Sequence, residues 1–334
     1  MRGLVALADR VDRVILAFLA DEQRALAGAH PGSEAAVVEI ERLVRAGGKR
    51  LRPILCVLGH EAGDGAVGEP ILRAGAAIEL LHTFALIHDD VMDDSPTRRG
   101  VPSTPAEHGP ARAVLIGDLA RTFADHLLVS SGFPPERLVP ALRRWVSMQV
   151  RVGVGQWLDL SAGPAVRAED AEAIGALKAG AYTVGGPVLL GAGLAGAAED
   201  VVAALSGYAE PLGRVFQIRD DLVGWLDERS GKPAGLDLTA GRPSVLLAVA
   251  RRRASPAGLA ALDRVASRPD PSPDDIQAAR SVIRSSGAAE ECARMVSRGV
   301  EQALDALAGG PVPAGAAGSL AAVARSLERS PDPR

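Results

Sequence analysis

The sequence predicts an all-α protein, and three observations carry that prediction. Nearly every segment repeats apolar residues at i, i+3, i+4 and i+7, with alanine and leucine dominating, which is the period of a helix with one buried face. No run alternates β-branched and polar residues as a half-buried strand would. Breakers and caps fall between the periodic stretches, as at Ser272-Pro-Asp-Asp275, where serine is a natural N-cap, proline takes the first helical position and an acid follows three residues on.

Taken in order, the N-terminal stretch LVALADRVDRVILAFLADEQRAL is amphipathic. Asp9, Arg10, Asp12 and Arg13 interrupt its apolar residues at helical spacing, unlike the unbroken apolar core of a signal peptide. Further helices are expected over 34–46, 52–63, 69–93, 106–130, 135–160, 170–181, 184–195, 198–226, 243–253, 256–267, 273–285, 288–308 and 315–329, after the first at 3–27. Two polar connections bearing glycine and proline, 94–105 and 227–242, follow Asp-rich helix ends and suit lids. No repeat period and no low-complexity linker divides the chain, so 1–334 reads as one domain, with a frayed tail at 330–334.

Composition narrows the function. A chain of 334 residues, 47% hydrophobic, supports a large core, and a net charge of -4 argues against nucleic acid and for small-molecule partners. The two cysteines, Cys56 and Cys292, have no metal-type spacing, which fits a reducing cytoplasm without disulfides or zinc. No run approaches the roughly 20 uncharged apolar residues of a transmembrane helix. Only Lys49, Lys178 and Lys232 among 37 cationic residues are lysine, which marks these positions as wanting a compact point charge where arginine is otherwise the rule.

The stretch HTFALIHDDVMDDSPTRRG at 82–100 concentrates the chemistry. On a helix, Asp89 and Asp93 share one face, as do Asp90 and Asp94, and like charges at that spacing repel. A hard divalent cation with oxygen ligands relieves that repulsion, and Mg²⁺ in particular shares its shell with substrate phosphates. Asp220 and Asp221 repeat the pair after a second apolar helix, with Gly224 at the next turn. Lys49 and Arg52, read as three apart on one helical face, and Arg98-Arg99-Gly100 supply cations for diphosphate-sized groups. Gly47-Gly48-Lys49 is no Walker loop, since no Ser or Thr follows the lysine and no strand precedes the glycines.

These residues resemble a known family. GGKRLRP at 47–53, HTFALIHDDVMD at 82–93, RRG at 98–100, GQWLDL at 155–160, LKAGAYT at 177–183, FQIRDDLVG at 216–224 and GKPAGLDL at 231–238 are similar, in order, to the motifs of the trans-isoprenyl diphosphate synthases, the polyprenyl synthetase family. The resemblance covers about residues 35–305. It implies an isoprenoid-synthase-type helical bundle around a deep central cavity, a homodimer, and condensation of isopentenyl diphosphate with an allylic diphosphate using three Mg²⁺ ions.

Residue by residue, the resemblance implies that Asp89 and Asp93 hold Mg²⁺ on one wall and Asp220 holds a further ion on the other, with Asp90 and Asp221 as supporting acids. Lys49, Arg52, His82 and Arg99 match the isopentenyl diphosphate site, and Arg98, Lys178, Gln217 and Lys232 match the allylic diphosphate site. Phe84 beside the smaller Ala85 resembles the pair that sets cavity depth in geranylgeranyl-producing members. The chain departs from the family at Gly224, Ala179 and Arg242, where an acid, a threonine and a lysine are usual, and in VPSTPAEHG after the arginines.

Three rival readings have their own discriminators. A terpene cyclase on the same scaffold lacks the second diphosphate site, against which Lys49, Arg52 and Arg99 stand. A non-catalytic partner subunit loses the first acids, whereas Asp89 and Asp93 are intact. An HD-type phosphohydrolase uses His88-Asp89 with His60 or His82, but leaves the second Asp pair unexplained.

Overall fold

Helices make up nearly all regular structure of the computed structural model, which describes residues 2–30, 32–163, 165–226, 242–266 and 271–328. They are α1 (Arg2–Ala29), α2 (Ala35–Arg45), α3 (Leu51–Ala62), α4 (Glu69–Met92), α5 (Thr104–His108), α6 (Pro110–Val129), α7 (Pro135–Ser161), α8 (Ala168–Gly175), α9 (Gly186–Ala195), α10 (Glu199–Leu226), α11 (Val245–Arg253), α12 (Pro256–Ala266), α13 (Pro273–Ser285), α14 (Ala288–Leu307) and α15 (Ala314–Ser326). The all-α expectation holds. One antiparallel hairpin, β1 (Thr97–Arg98) with β2 (Val101–Pro102), interrupts it.

Three local expectations are corrected. The break placed between 181 and 184 does not occur, because a π-helical segment (Ala176–Gly185) carries α8 into α9. Its wider turn accommodates Pro187, whose ring would meet the carbonyl four residues back in a regular α-helix. The helix expected over 106–130 divides at Gly109, whose φ of 80° ends α5, while Ser103 caps α5 by accepting from the Ala106 amide. Lys49 and Arg52 do not share a helical face, since α3 begins at Leu51 and Lys49 lies in the loop before it. The 330–334 tail and residues 227–241 of the second connection lie outside the described residues.

The chain forms two compact units, Met1–Leu142 with Pro187–Ala197, and Arg143–Gly186 with Ala198–Arg334. In the first, α4 is the axis. It packs against α1, α3 and α6 and is apolar around much of its circumference, as a buried helix must be. Both it and the stretch Ala168–Ala195 are long and apolar enough, by composition, to cross a membrane, with mean hydropathies of 1.4 and 1.2; α4 spends that apolar length on the core. Backbones of α3 and α9 meet through glycine, because a Cβ on Gly191 would lie 1.8 Å from the Cys56 carbonyl oxygen and one on Gly59 2.0 Å from that of Val188.

In the second unit, α10 packs on α14 and on the π-helical segment. Gly180 and Gly213 bring the latter pair close, a Cβ on Gly180 falling 2.3 Å from the Gly213 carbonyl oxygen. The hydroxyl of the buried Tyr208 donates to the Leu320 carbonyl at 2.9 Å, fastening α15 to α10.

Candidate active site

The acids of the first unit stand where a helix tolerates them least. α4 ends at Met92 with no basic residue in its last turn, and Asp93 is its C-cap, its amide bonded to the Asp89 carbonyl at 2.8 Å. The terminal carbonyls carry the negative end of the helix dipole, so Asp89, Asp90, Asp93 and Asp94 add charge of the same sign. Asp90 is held by an arginine. Arg98 donates to Oδ1 of the buried Asp90 through Nε at 2.9 Å and through Nη2, and although burial works against its charge, Asp90, Asp89 and Asp93 together raise its pKa.

Asp89 is half-buried and Asp93 exposed, one turn apart and both oxygen donors. That pair suits Mg²⁺, which takes one or two carboxylates, retains water and completes its shell with phosphate. Among the described residues no three His, Cys, Asp or Glu side chains form a metal-sized group.

The hairpin explains Arg98-Arg99-Gly100. Arg98 pairs with Val101 in the ladder, and the turn residues Arg99 and Gly100 have φ of 52° and 78°, the positive values that two-residue hairpin turns require. Glycine supplies the second cheaply; arginine at the first is held by its surroundings, its Nη1 donating to the Leu43 carbonyl at 3.2 Å. Buried Glu39 of α2 grips the segment beyond, accepting from Arg42 at 2.7 Å and from the Thr104 hydroxyl at 2.7 Å, with His108 at 3.3 Å.

Behind the hairpin lies a basic cluster. His82 is surrounded by Arg52, Arg99, Arg98 and Arg50, and burial followed by those four charges holds its pKa well below the usual histidine range. The ring is therefore neutral at neutral pH. Burial also lowers Arg99, Glu79 opposes that, and Arg50, Arg98 and Arg52 add to the lowering. A field of this kind, beside the N-terminus of α3, favours a polyanion.

The second unit places its own cations and acids. Nζ of Lys178, on the π-helical segment, donates to Oδ2 of the buried Asp159 on α7 at 2.7 Å, and Arg242 reaches the same oxygen at 3.3 Å. Gly155, one turn before Asp159, permits this: a Cβ there would lie 2.4 Å from the Lys178 amide nitrogen. On α10, Gln217 donates to Oδ1 of Asp221 at 2.8 Å, and Ser244 donates to Oδ2 at 2.9 Å while capping α11. Asp221 is thus a buried, fully engaged support. Asp220 is exposed, 3.0 Å from Arg219 Nη1.

Of the residues read from sequence, Arg52, His82, Arg98 and Arg99 come together in the first unit beside Asp89 and Asp90, and Lys178, Gln217, Asp220 and Asp221 belong to the second. Lys232 lies outside the described residues. Phe84 and Ala85 are half-buried on α4, the Phe84 ring 4.6 Å from that of His88. His88 donates through Nε2 to the Val114 carbonyl at 3.2 Å and packs where a Cβ on Gly117 would collide with it. His60 is buried against Phe133. These are packing roles, which removes the histidine basis for the phosphohydrolase reading. Sequence reasoning missed Arg50, Glu79 and Asp159. A lone carboxylate inside the apolar run AAIELLHTFALI and an acid one turn after Gly155 were the signals.

The family model described as Polyprenyl synthetase matches residues 36–283. The chain is 36% identical over 218 residues to the short chain isoprenyl diphosphate synthase of Methanothermobacter thermautotrophicus, covering 64% of this chain and 66% of that protein. It is 34% identical over 210 residues to the geranylgeranyl diphosphate synthase of Sulfolobus acidocaldarius, covering 61% and 63%; the match therefore spans just under two thirds of either relative's length. The crystal structure of a geranylgeranyl pyrophosphate synthase from Corynebacterium glutamicum, complexed with isoprenyl diphosphate and magnesium, superposes with a TM-score of 0.90 at 31% identity, covering 97% of this chain and 98% of that one.

Proposed function

The chain belongs to the polyprenyl synthetase family, and from that premise we propose that it is a trans-prenyltransferase, condensing isopentenyl diphosphate with an allylic diphosphate. The observation that carries this reading is the presence of two separately built cation sets, one in each unit: Arg52 and Arg99 beside a neutral His82, and Lys178 with Arg242 on Asp159. One diphosphate needs only one such set. A terpene cyclase has no use for the first, and a non-catalytic subunit has no use for intact acids at Asp89 and Asp93.

In this reading Lys49, Arg52, His82 and Arg99 bind isopentenyl diphosphate, and Arg98, Lys178, Gln217 and Lys232 bind the allylic diphosphate. Asp89, Asp93 and Asp220 hold Mg²⁺, three ions per site, whose charge, when bound, offsets that developing on the leaving diphosphate. Asp90 and Asp221 orient their neighbours, Arg98 in one case and Gln217 in the other. The allylic C–O bond breaks, the isopentenyl double bond forms the new C–C bond, and a proton leaves the adduct for the released diphosphate. Neutral His82 donates a hydrogen bond without adding a proton to that balance. The loop at 94–105 excludes water, which would otherwise capture the allylic cation.

Phe84 and Ala85 set cavity depth, giving geranylgeranyl diphosphate. The chain acts as a polyprenyl synthetase domain in the cytoplasm. The assembly is a homodimer, supported by the apolar stripe of Val139, Val146, Val150, Val154 and Trp157 along α7, where Trp157 is 71% exposed. The test is incubation with Mg²⁺, labelled isopentenyl diphosphate and dimethylallyl, geranyl or farnesyl diphosphate. A labelled C20 product is expected; no labelled prenyl product with any primer overturns the reading.

A further inference from the structure

We propose that Arg50 is a positioning residue for the isopentenyl diphosphate site, holding the Gly47-Gly48-Lys49 loop and Arg99 in place through a buried bridge to Glu79 and Asp12. What that site binds rests on the prenyl-transfer reading above; the bridge itself does not.

Arg50 stands at the N-cap of α3 with φ of 50°, a conformation that an arginine keeps only where its surroundings over-determine it. They do. Its side chain is 3% exposed, and its guanidinium donates in four directions: Nε to Asp12 of α1 at 2.6 Å, Nη1 to Glu79 of α4 at 2.9 Å and to the Gly47 carbonyl at 3.2 Å, and Nη2 to the Val44 carbonyl at 2.6 Å. One side chain thus closes the 44–50 loop from inside and pins it to two helices.

The link to substrate-facing groups runs through Gly48, whose φ is 148°. A Cβ placed there would lie 2.9 Å from Arg99 Nη2 and 3.1 Å from Arg50 Nη1, so both guanidiniums crowd one glycine. Two guanidiniums at such range repel unless a carboxylate stands between their fields. Glu79, 2% exposed, is that carboxylate; it pairs with Arg50 and favours the charge on Arg99 as well. The arrangement leaves Arg99 anchored to the Leu43 carbonyl and charged, beside an exposed Lys49. A lysine at position 50 retains the charge but has no planar fork able to reach both acids and both carbonyls.

Arg50→Lys is the primary test, read by steady-state kinetics in both substrates and by calorimetric binding of isopentenyl diphosphate alone. The isopentenyl KM and dissociation constant are expected to rise about ten- to hundredfold, while the allylic KM stays within about threefold. Glu79→Gln is expected to move the same constant in the same direction. Should Arg50→Lys fail to fold, Asp12→Asn, at the half-exposed end of the bridge, is expected to give a smaller rise of the same selective kind. Unchanged isopentenyl binding in the folded variants, or equal losses for both substrates, overturns the proposal. A wild-type protein that binds isopentenyl diphosphate, and loses that binding in Arg50→Lys, but makes no product overturns the prenyl-transfer reading and leaves the bridge standing.

Discussion

Arg98 Nε lies 2.9 Å from Oδ1 of Asp90, an acid with 1% of its surface exposed. The second of four crowded acids is therefore the anchor of a cation, while Asp89 and Asp93 are the two to which the proposal gives Mg²⁺. The division follows from the hairpin, which returns the chain to the end of α4 just far enough for an arginine to reach back eight residues.

Asp90→Asn keeps an acceptor and removes the charge beneath Arg98. Loss of a charge-assisted hydrogen bond of this kind is expected to lower stability by about 1.5–3 kcal/mol. Urea denaturation measures that loss, and a raised allylic KM with an unchanged isopentenyl KM accompanies it.

Asp93→Ala and Asp94→Asn separate metal binding from mere acidity at the helix end. Removing one electrostatic group aimed at developing charge typically costs about 10²–10³ in kcat, and Asp93→Ala is expected to fall in that range with a raised Mg²⁺ requirement. Asp94 is exposed with φ of 47°, which asparagine tolerates, so Asp94→Asn is expected to retain near-parental activity. Magnesium titrations of the two variants make the comparison.

His82 predicts a pH dependence of stability. Its folded-state pKa lies below the ordinary 6.5 because of burial and four arginines, so the unfolded chain binds the proton more readily. Stability is full above about pH 6.5 and declines as pH falls below it toward the folded value. His82→Gln is expected to flatten that acid limb, measured as Tm from pH 5 to 8, with the two proteins differing least above pH 7 in their slopes.

Gly155→Ala places a methyl 2.4 Å from the Lys178 amide nitrogen. The clash is backbone against side chain and has no flexible group to yield, so a loss of about 1–3 kcal/mol is expected. Displacement of Lys178 from Asp159 raises the allylic KM in the same variant, and calorimetric unfolding with kinetics checks both.

Local period made most of the fold legible: α4, α10 and α14 lie close to where apolar spacing places them, and the capped start at Ser272 is observed, its hydroxyl accepting from Asp275. What escaped was tertiary. The π-helical segment depends on packing of glycines against α10, and the two-residue hairpin is shorter than any alternation pattern can register. At the site, Asp89, Asp93 and the arginines announce themselves because so many charges are crowded into the short stretch 82–100. Arg50, Glu79 and Asp159 are compensated by partners 29, 38 or 83 residues away, and one sequence read along its length does not bring those partners together.

Paired kinetics of Arg52→Gln and Lys178→Gln test whether the two cation sets serve two different diphosphates, as proposed. Arg52→Gln is expected to raise the KM for isopentenyl diphosphate and leave that for the allylic substrate, while Lys178→Gln does the reverse. Equal increases in both constants in both variants, or a change in the opposite constant, would contradict it.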